Sequence, residues 1–135
     1  CLLIFETNTP EFFAKKERLL FKNYLIKNKI NYYLLFEKNI LISSGGFGLN
    51  TQTKSVDLTW GMTHRKFQKK GFGTKLLDFR IRKITEKFPN KNIELNTSQK
   101  TFKFYEKFGF ELQKITKNYY WDGLDRYDMV KYPLK

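Results

Sequence analysis

The chain has 135 residues, of which 41% are hydrophobic and 18% aromatic, with charged residues interleaved among them, a composition that excludes disorder and suits one packed core, a single domain over residues 1–135. No apolar run approaches the ~18 residues needed to cross a bilayer, and no basic flank followed by a long apolar stretch marks an export signal, so a soluble, cytoplasmic protein without a membrane partner is expected. Twenty-six basic residues against 13 acidic ones give a net charge of +13, which favours anionic partners but is scattered along the chain rather than gathered into a block.

Residues 2–5 read as a short apolar strand. Thr9, Pro10 and Glu11 follow as an N-cap, a proline at the first helical position and an acid in the first turn. Apolar residues Phe12, Phe13, Leu19, Leu20, Tyr24 and Leu25 keep helical spacing to about Lys27, with a break near residues 14–16. Two β-rich runs, 32–37 and 40–49, are separated by Lys38 and Asn39 as in a tight hairpin, and a third, 54–63, follows a polar loop, which together make an antiparallel meander. Leu77, Ile81, Ile84 and Phe88 then form one face of a helix that Pro89 and Asn90 stop. Residues 93–96 are a short strand. Thr97 or Ser98 can cap a further helix that buries Phe104, Tyr105 and Phe108 and ends at Gly109, a position suited to a C′ glycine. Residues 110–120 and 127–132 complete the chain as two strands around an Asp122-Gly123 turn.

Cys1 is the only cysteine and His64 the only histidine, so one chain can assemble neither a disulfide nor a zinc site of nitrogen and sulfur ligands; no metal is expected, and no function is placed on Cys1. The chemistry lies instead in Gln68-Lys69-Lys70-Gly71-Phe72-Gly73-Thr74, between a predicted strand and the best predicted helix. Unpaired backbone N–H groups and the positive end of the helix dipole meet there, the glycines let backbone approach an anion, and Lys69 and Lys70 add charge, so the turn suits phosphate. Leu76 stands where a dinucleotide fingerprint needs its third glycine, and the Walker spacing is absent. The second cluster, Gly45-Gly46-Phe47-Gly48, sits inside a strand-like run and reads as a bulge or a close approach of backbone.

Gln68-x-x-Gly71-x-Gly73, the Leu76-Leu77 that follows, and Phe104-Tyr105-Glu106-Lys107-Phe108-Gly109-Phe110 together resemble the GNAT superfamily of N-acetyltransferases, and the order of elements is similar to that family's fold over nearly the whole chain. The resemblance implies an α+β fold with a mixed, mostly antiparallel sheet of about seven strands and about four helices. Two departures are visible: Arg65 replaces a proline often found before the turn, and Ser98 stands where an asparagine commonly opens the later helix.

The resemblance further implies acetyl-coenzyme A as cosubstrate, its pyrophosphate wrapped by Gln68 to Thr74, its pantetheine arm paired with the strand at Met62, Thr63 and His64, and Ser98 nearby. A backbone N–H of that strand would receive the charge that grows on the thioester oxygen, and Tyr105 would protonate the departing thiolate, since phenol and thiol have pKa values of similar order. Asp57, Glu94 and His64 are candidates to deprotonate the acceptor amine, with Glu94 preferred. No cysteine is placed for an acyl-enzyme, so transfer is expected to be direct. Residues 118–126, with Tyr119, Tyr120, Trp121 and Asp122, and the first helical region would border a cleft for a small-molecule or peptide amine, and strand edges allow a homodimer. Two rivals are an RNA-binding module, because Lys70-Gly71-Phe72-Gly73 opens an RNP1-like pattern, and a domain that binds coenzyme A without turnover. Against the first, Thr74 to Leu77 continue with helical rather than alternating spacing.

Overall fold

A computed structural model describes residues 2–8, 17–27, 31–68 and 70–133. The elements are α1 (Leu2–Thr7), α2 (Glu17–Lys27), β1 (Tyr32–Glu37), β2 (Ile40–Asn50), β3 (Ser55–Thr63), a 3₁₀ turn (Arg65–Phe67), α3 (Phe72–Lys87), β4 (Ile93–Thr97), α4 (Phe102–Glu106), β5 (Glu111–Trp121) and β6 (Leu124–Lys131). The strands form one sheet in the order β1-β2-β3-β4-β6-β5, in which only the β3–β4 pair is parallel. This is the expected mixed, mostly antiparallel α+β arrangement, with six strands among the described residues instead of about seven.

The difference lies at residues 2–5, which are helical, not a strand. A short apolar run is equally compatible with either state, and packing decided it. Ile4 and Phe5 are adjacent and both buried, which a helix turn allows and strand alternation does not. The hydroxyl of Thr7 and the amide of Asn8 donate to the Ile4 carbonyl, at 2.8 and 2.9 Å, and finish the turn. The expected capping sequence at Thr9, Pro10 and Glu11, and Phe12 and Phe13 with it, lie outside the described residues. Farther along, the expected helix is present as α2, which turns Phe21, Tyr24 and Leu25 to the sheet and leaves Leu19 and Leu20 exposed.

The hairpin between β1 and β2 turns on Lys38 and Asn39, at φ 49° and 65°, the left-handed pair that a two-residue loop requires. Helices α3 and α4 pack on one face of the sheet around Phe47, Val56, Leu58, Leu77, Ile84 and Met129. On the other face, Ile4, Phe5, Phe21 and Met62 pack with Trp60 and Tyr24. Helix α4 starts later than expected. Residues 98–101 form a turn in which the Ser98 carbonyl accepts from Thr101 and Phe102 and its hydroxyl accepts from the Lys100 N–H. The helix closes as foreseen: Gly109 has φ +90°, its N–H bonds the Glu106 carbonyl, and Phe110 N–H bonds that of Tyr105.

Two irregularities of β3 shape the rest. Its register against β2 shifts between Ser44–Met62 and Gly46–Thr59, with Trp60 at φ 45°, so one residue of β2 lies opposite two of β3. Thr59 and Trp60 consequently point to the same face: the Thr59 hydroxyl meets the Tyr24 hydroxyl at 2.6 Å, and Trp60 lies 5.0 Å from the Phe21 ring. Beyond the bulge the alternation is inverted, which puts Met62 in the α1–α2 core although Val56 and Leu58 belong to the α3 core. The second irregularity is that β3 pairs with β4 only at Val56–Ile93 and Asp57–Glu94 and then diverges, although both strands continue.

Because Phe5 is fully buried, 5.6 Å from Phe21 and 6.4 Å from Trp60, Phe5→Ala should cost about 3–5 kcal/mol in urea unfolding. Leu19→Ala, at a side chain 64% exposed, should stay within about 0.5 kcal/mol.

Candidate active site

Where β3 leaves β4, backbone polar groups are freed. The His64 N–H bonds the Ile42 carbonyl at 2.7 Å and the Met62 carbonyl accepts the Ser43 hydroxyl at 2.9 Å, so these two residues face β2. Alternation then turns the N–H groups of Gly61 and Thr63 to the open side, where β4 no longer pairs. Of the three strand residues expected to line a ligand, Thr63 therefore offers its N–H, whereas Met62 and His64 are engaged in the sheet. The imidazole of His64 accepts the Lys66 N–H through Nδ1 at 3.1 Å and caps the 3₁₀ turn.

That turn leads into the glycine segment. Gly71 has φ +84° and open space where a side chain would project, so conformation and not crowding demands glycine here. The first intrahelical bond of α3 runs from Lys75 N–H to the Gly71 carbonyl, at 3.1 Å, which leaves the N–H groups of Phe72, Gly73 and Thr74 without helical partners. No acid lies in the first turn, and Lys70 and Lys75 sit over the rings of Phe67 and Phe72, at 5.7 and 5.9 Å. Lys69 lies outside the described residues. A Cβ on Gly73 would stand 3.4 Å from Thr63 Oγ1 and 3.7 Å from Phe104, so the helix end, the freed strand and α4 converge on one place. Thr74 to Leu77 belong to α3, which removes the strand that an RNP1 motif requires.

Gln68 begins the turn but reaches backwards. Its amide donates to Asn8 Oδ1 and to the Thr63 carbonyl, and Asn8, buried, donates to that same carbonyl at 2.9 Å. Gln68 thus ties the turn to β3 and α1. Ser98, also buried, shapes the approach to α4 as described.

Tyr105 lies on α4 with its ring edge-on to Phe104 and Phe110, at 5.2 and 6.0 Å. Burial pushes its phenol above the ordinary value, and the charge of Arg80 works the other way. The Tyr105 hydroxyl forms no hydrogen bond with a described residue.

Glu94 does not join this group. It sits in the short paired part of β4, where its carboxylate accepts the Ser55 hydroxyl at 2.6 Å opposite Asp57. Asp57 precedes Thr63 by six positions, roughly 20 Å along an extended strand. Burial, with Glu94 adding to it, lifts the Asp57 carboxyl above its usual range while a bond from Asn50 opposes the shift. Among the aromatic residues expected near an acceptor, the Tyr120 hydroxyl donates to Asn96 Oδ1 at 2.7 Å, and Arg126 pairs with Asp128 at 2.9 Å while covering the Tyr119 ring.

Two residues escaped the sequence. Asn8 left no signal, since one asparagine in a polar stretch is unremarked. Arg80 did leave one: it falls between Leu77 and Ile84 on the stripe that packs against the sheet and is buried.

The chain matches the family model of the acetyltransferase (GNAT) domain over residues 7–133. No curated protein matches it. Among solved structures it resembles a GNAT family acetyltransferase from Elizabethkingia anophelis with acetyl-CoA bound, at 21% identity over 88% of this chain and 85% of that one, with a TM-score of 0.71. An aminoglycoside 6'-N-acetyltransferase complexed with coenzyme A gives 13% identity, 99% and 90% coverage and a TM-score of 0.76. A ribosomal-protein-alanine N-acetyltransferase from Brucella melitensis gives 14%, 87% and 77%, and 0.68.

Asn8→Ala strips a buried donor from the Thr63 carbonyl and a partner from Gln68, and should cost about 1–3 kcal/mol in urea unfolding. Gln68→Ala, at a half-buried side chain, should cost less than Asn8→Ala.

Proposed function

The chain belongs to the GNAT acetyltransferase family, and on that premise we propose that it binds acetyl-coenzyme A at the turn of residues 68–74 and transfers the acetyl group directly to a primary amine. The observation that carries this is the parting of β3 from β4 beside the N-terminus of α3, which sets outward N–H groups of a strand next to unpartnered N–H groups of a helix. The turn fits a pyrophosphate: Gly71 leaves its open side clear, three N–H groups converge, lysines flank them and no first-turn acid repels. The coenzyme supplies an acetyl group activated as a thioester.

On this reading the N–H of Thr63, with that of Gly61, receives the negative charge that develops on the acetyl oxygen as the amine attacks. Tyr105 gives its proton to the sulfur that leaves. Its raised pKa keeps it protonated throughout the neutral range, as an acid must be. Glu94 is not part of the proposal, because its place beside Asp57 is far from the freed strand and its carboxylate is engaged with Ser55. Loss of the amine proton is assigned instead to water in the open cleft. Tyr120, Asn96 and Asp128, on the open end of the sheet, support an acceptor site for a small-molecule or peptide amine. Among the described residues, the edge strands β1 and β5 each have a strand partner on one side only, which supports pairing with a second copy.

Calorimetry with acetyl-coenzyme A should show micromolar binding that Gly71→Glu abolishes without loss of the circular dichroism spectrum, since the new side chain enters open space at the turn. No binding by the unsubstituted protein would reject the proposal. With an amine found by screening for coenzyme A release, Tyr105→Phe should lower kcat by roughly 10²–10⁴-fold and leave acetyl-coenzyme A affinity nearly unchanged. The alkaline limb of the pH–rate profile should lie above the ordinary phenol value, because a raised pKa keeps the acid form to higher pH, and the substitution should remove that limb.

A further inference from the structure

Arg80 is 3% exposed, and no described carboxylate pairs with it. Burying a guanidinium without an ion-pair partner is unfavourable unless its donors are satisfied by other groups. From the middle of α3 the side chain reaches the underside of the sheet at the β3 bulge. Nε and Nη2 donate to the Gly46 carbonyl at 3.3 and 3.1 Å, and Nη2 also reaches the Thr59 carbonyl at 3.4 Å. The two carbonyls belong to the residues that face each other where the register shifts. The fork therefore holds both strands at the one point where their ladder is irregular.

Two glycines make room for it. A Cβ on Gly45 would lie 2.6 Å from Nη1, and one on Gly61 would lie 2.7 Å from it, whereas nothing lies within 4 Å of a Cβ on Gly48. Gly45 of β2 and Gly61, after the bulge in β3, are thus a socket for this one side chain. Gly46 faces the opposite side, where the Tyr24 hydroxyl and the Tyr32 ring close over it. The charge of Arg80 also acts on Tyr105, which lies on the same face of the sheet.

We propose that Arg80 is a positioning residue that locks the β3 bulge, fixing the direction in which Gly61 and Thr63 present their N–H groups to the cleft. The same helix thereby positions both ends of the ligand, its first turn the pyrophosphate and its third the strand beside the thioester. The inference rests on the transferase reading for its catalytic half and on geometry alone for its structural half.

The test uses Arg80→Met, Gly61→Ala and the double variant Gly61→Ala/Arg80→Lys, each in the full chain. Hydrogen exchange is read at Met62 and His64, whose N–H groups face β2, and coenzyme A affinity is measured by calorimetry. Arg80→Met should speed exchange at these two amides at least tenfold, leave β4 and β6 unchanged, keep coenzyme A affinity within about threefold and lower kcat with the screened amine at least thirtyfold. If Arg80→Met fails to fold, Gly61→Ala reports instead: it displaces the guanidinium without removing it and should give the same local loosening. The double variant, whose shorter side chain no longer meets the new methyl group, should recover part of the protection. Unchanged exchange at Met62 and His64 in both single variants overturns the inference. So does a kcat loss matched by an equal loss of coenzyme A affinity. Failure of the unsubstituted protein to bind coenzyme A would overturn the transferase reading and the catalytic half, while exchange would still decide the structural half.

Discussion

The parallel ladder between β3 and β4 stops after two residue pairs, and the rest of the molecule is arranged around that stop. A strand that ends its pairing inside a sheet exposes donors and acceptors that must find partners or face solvent. On the β2 side the needs are met by Ser43, Ile42 and the Arg80 fork. On the open side the Thr63 carbonyl is met by Asn8 and Gln68, and the outward N–H groups face the space where β4 has parted. The bulge at Thr59–Trp60 serves the same end. By inverting the alternation it sends Met62 into one core after Val56 and Leu58 have filled the other, so β3 is anchored on both faces while one edge stays free.

Helix α3 gains importance from its position under this strand. Sixteen residues give it a full dipole, and no described residue lies within 4 Å of where a side chain would project from the glycine at its start. Arg80 fits on an apolar stripe because the glycines above it leave room: Gly45 and Gly61 are separated by sixteen positions yet bound one guanidinium. The same stripe supplies Leu77 and Ile84 to the core, so helix packing and the arginine's reach are fixed by one rotation of the helix about its axis.

Much of this was legible in the sequence where local chemistry dictates structure. The Lys38–Asn39 hairpin, the α3 stripe, the Gly71 turn and the Gly109 cap each use a residue whose backbone preference leaves few alternatives. Residues 2–5 were not legible as helix, because four apolar residues carry no period and only docking against Phe21 and Trp60 distinguishes the outcomes. Leu19 and Leu20 mark the helix by their spacing but stay exposed, because spacing shows that a helix has an apolar face, not which flank of it meets the sheet. In the candidate site, the glycine turn and Tyr105 could be found from motifs. Glu94 looked plausible only because pairing was unknown; the two-residue ladder with Asp57 puts it at the closed end. Asn8 and the Arg80 socket depend on contacts between residues far apart in the chain, which no local pattern encodes.

The bond from Asn8 to the Thr63 carbonyl, with Gln68 joined to both, carries a thermodynamic implication for the amino-terminal helix. Asn8 follows α1, Thr63 ends β3 and Gln68 opens the glycine turn, so one small polar knot ties the amino-terminal segment to residues 55 and 60 positions later. Linkage makes such a knot reciprocal: whatever free energy a ligand gains from an ordered turn, the docking of the first helix gains from the ligand. A ligand held by the turn would thus favour the docked amino-terminal helix through these three side-chain bonds.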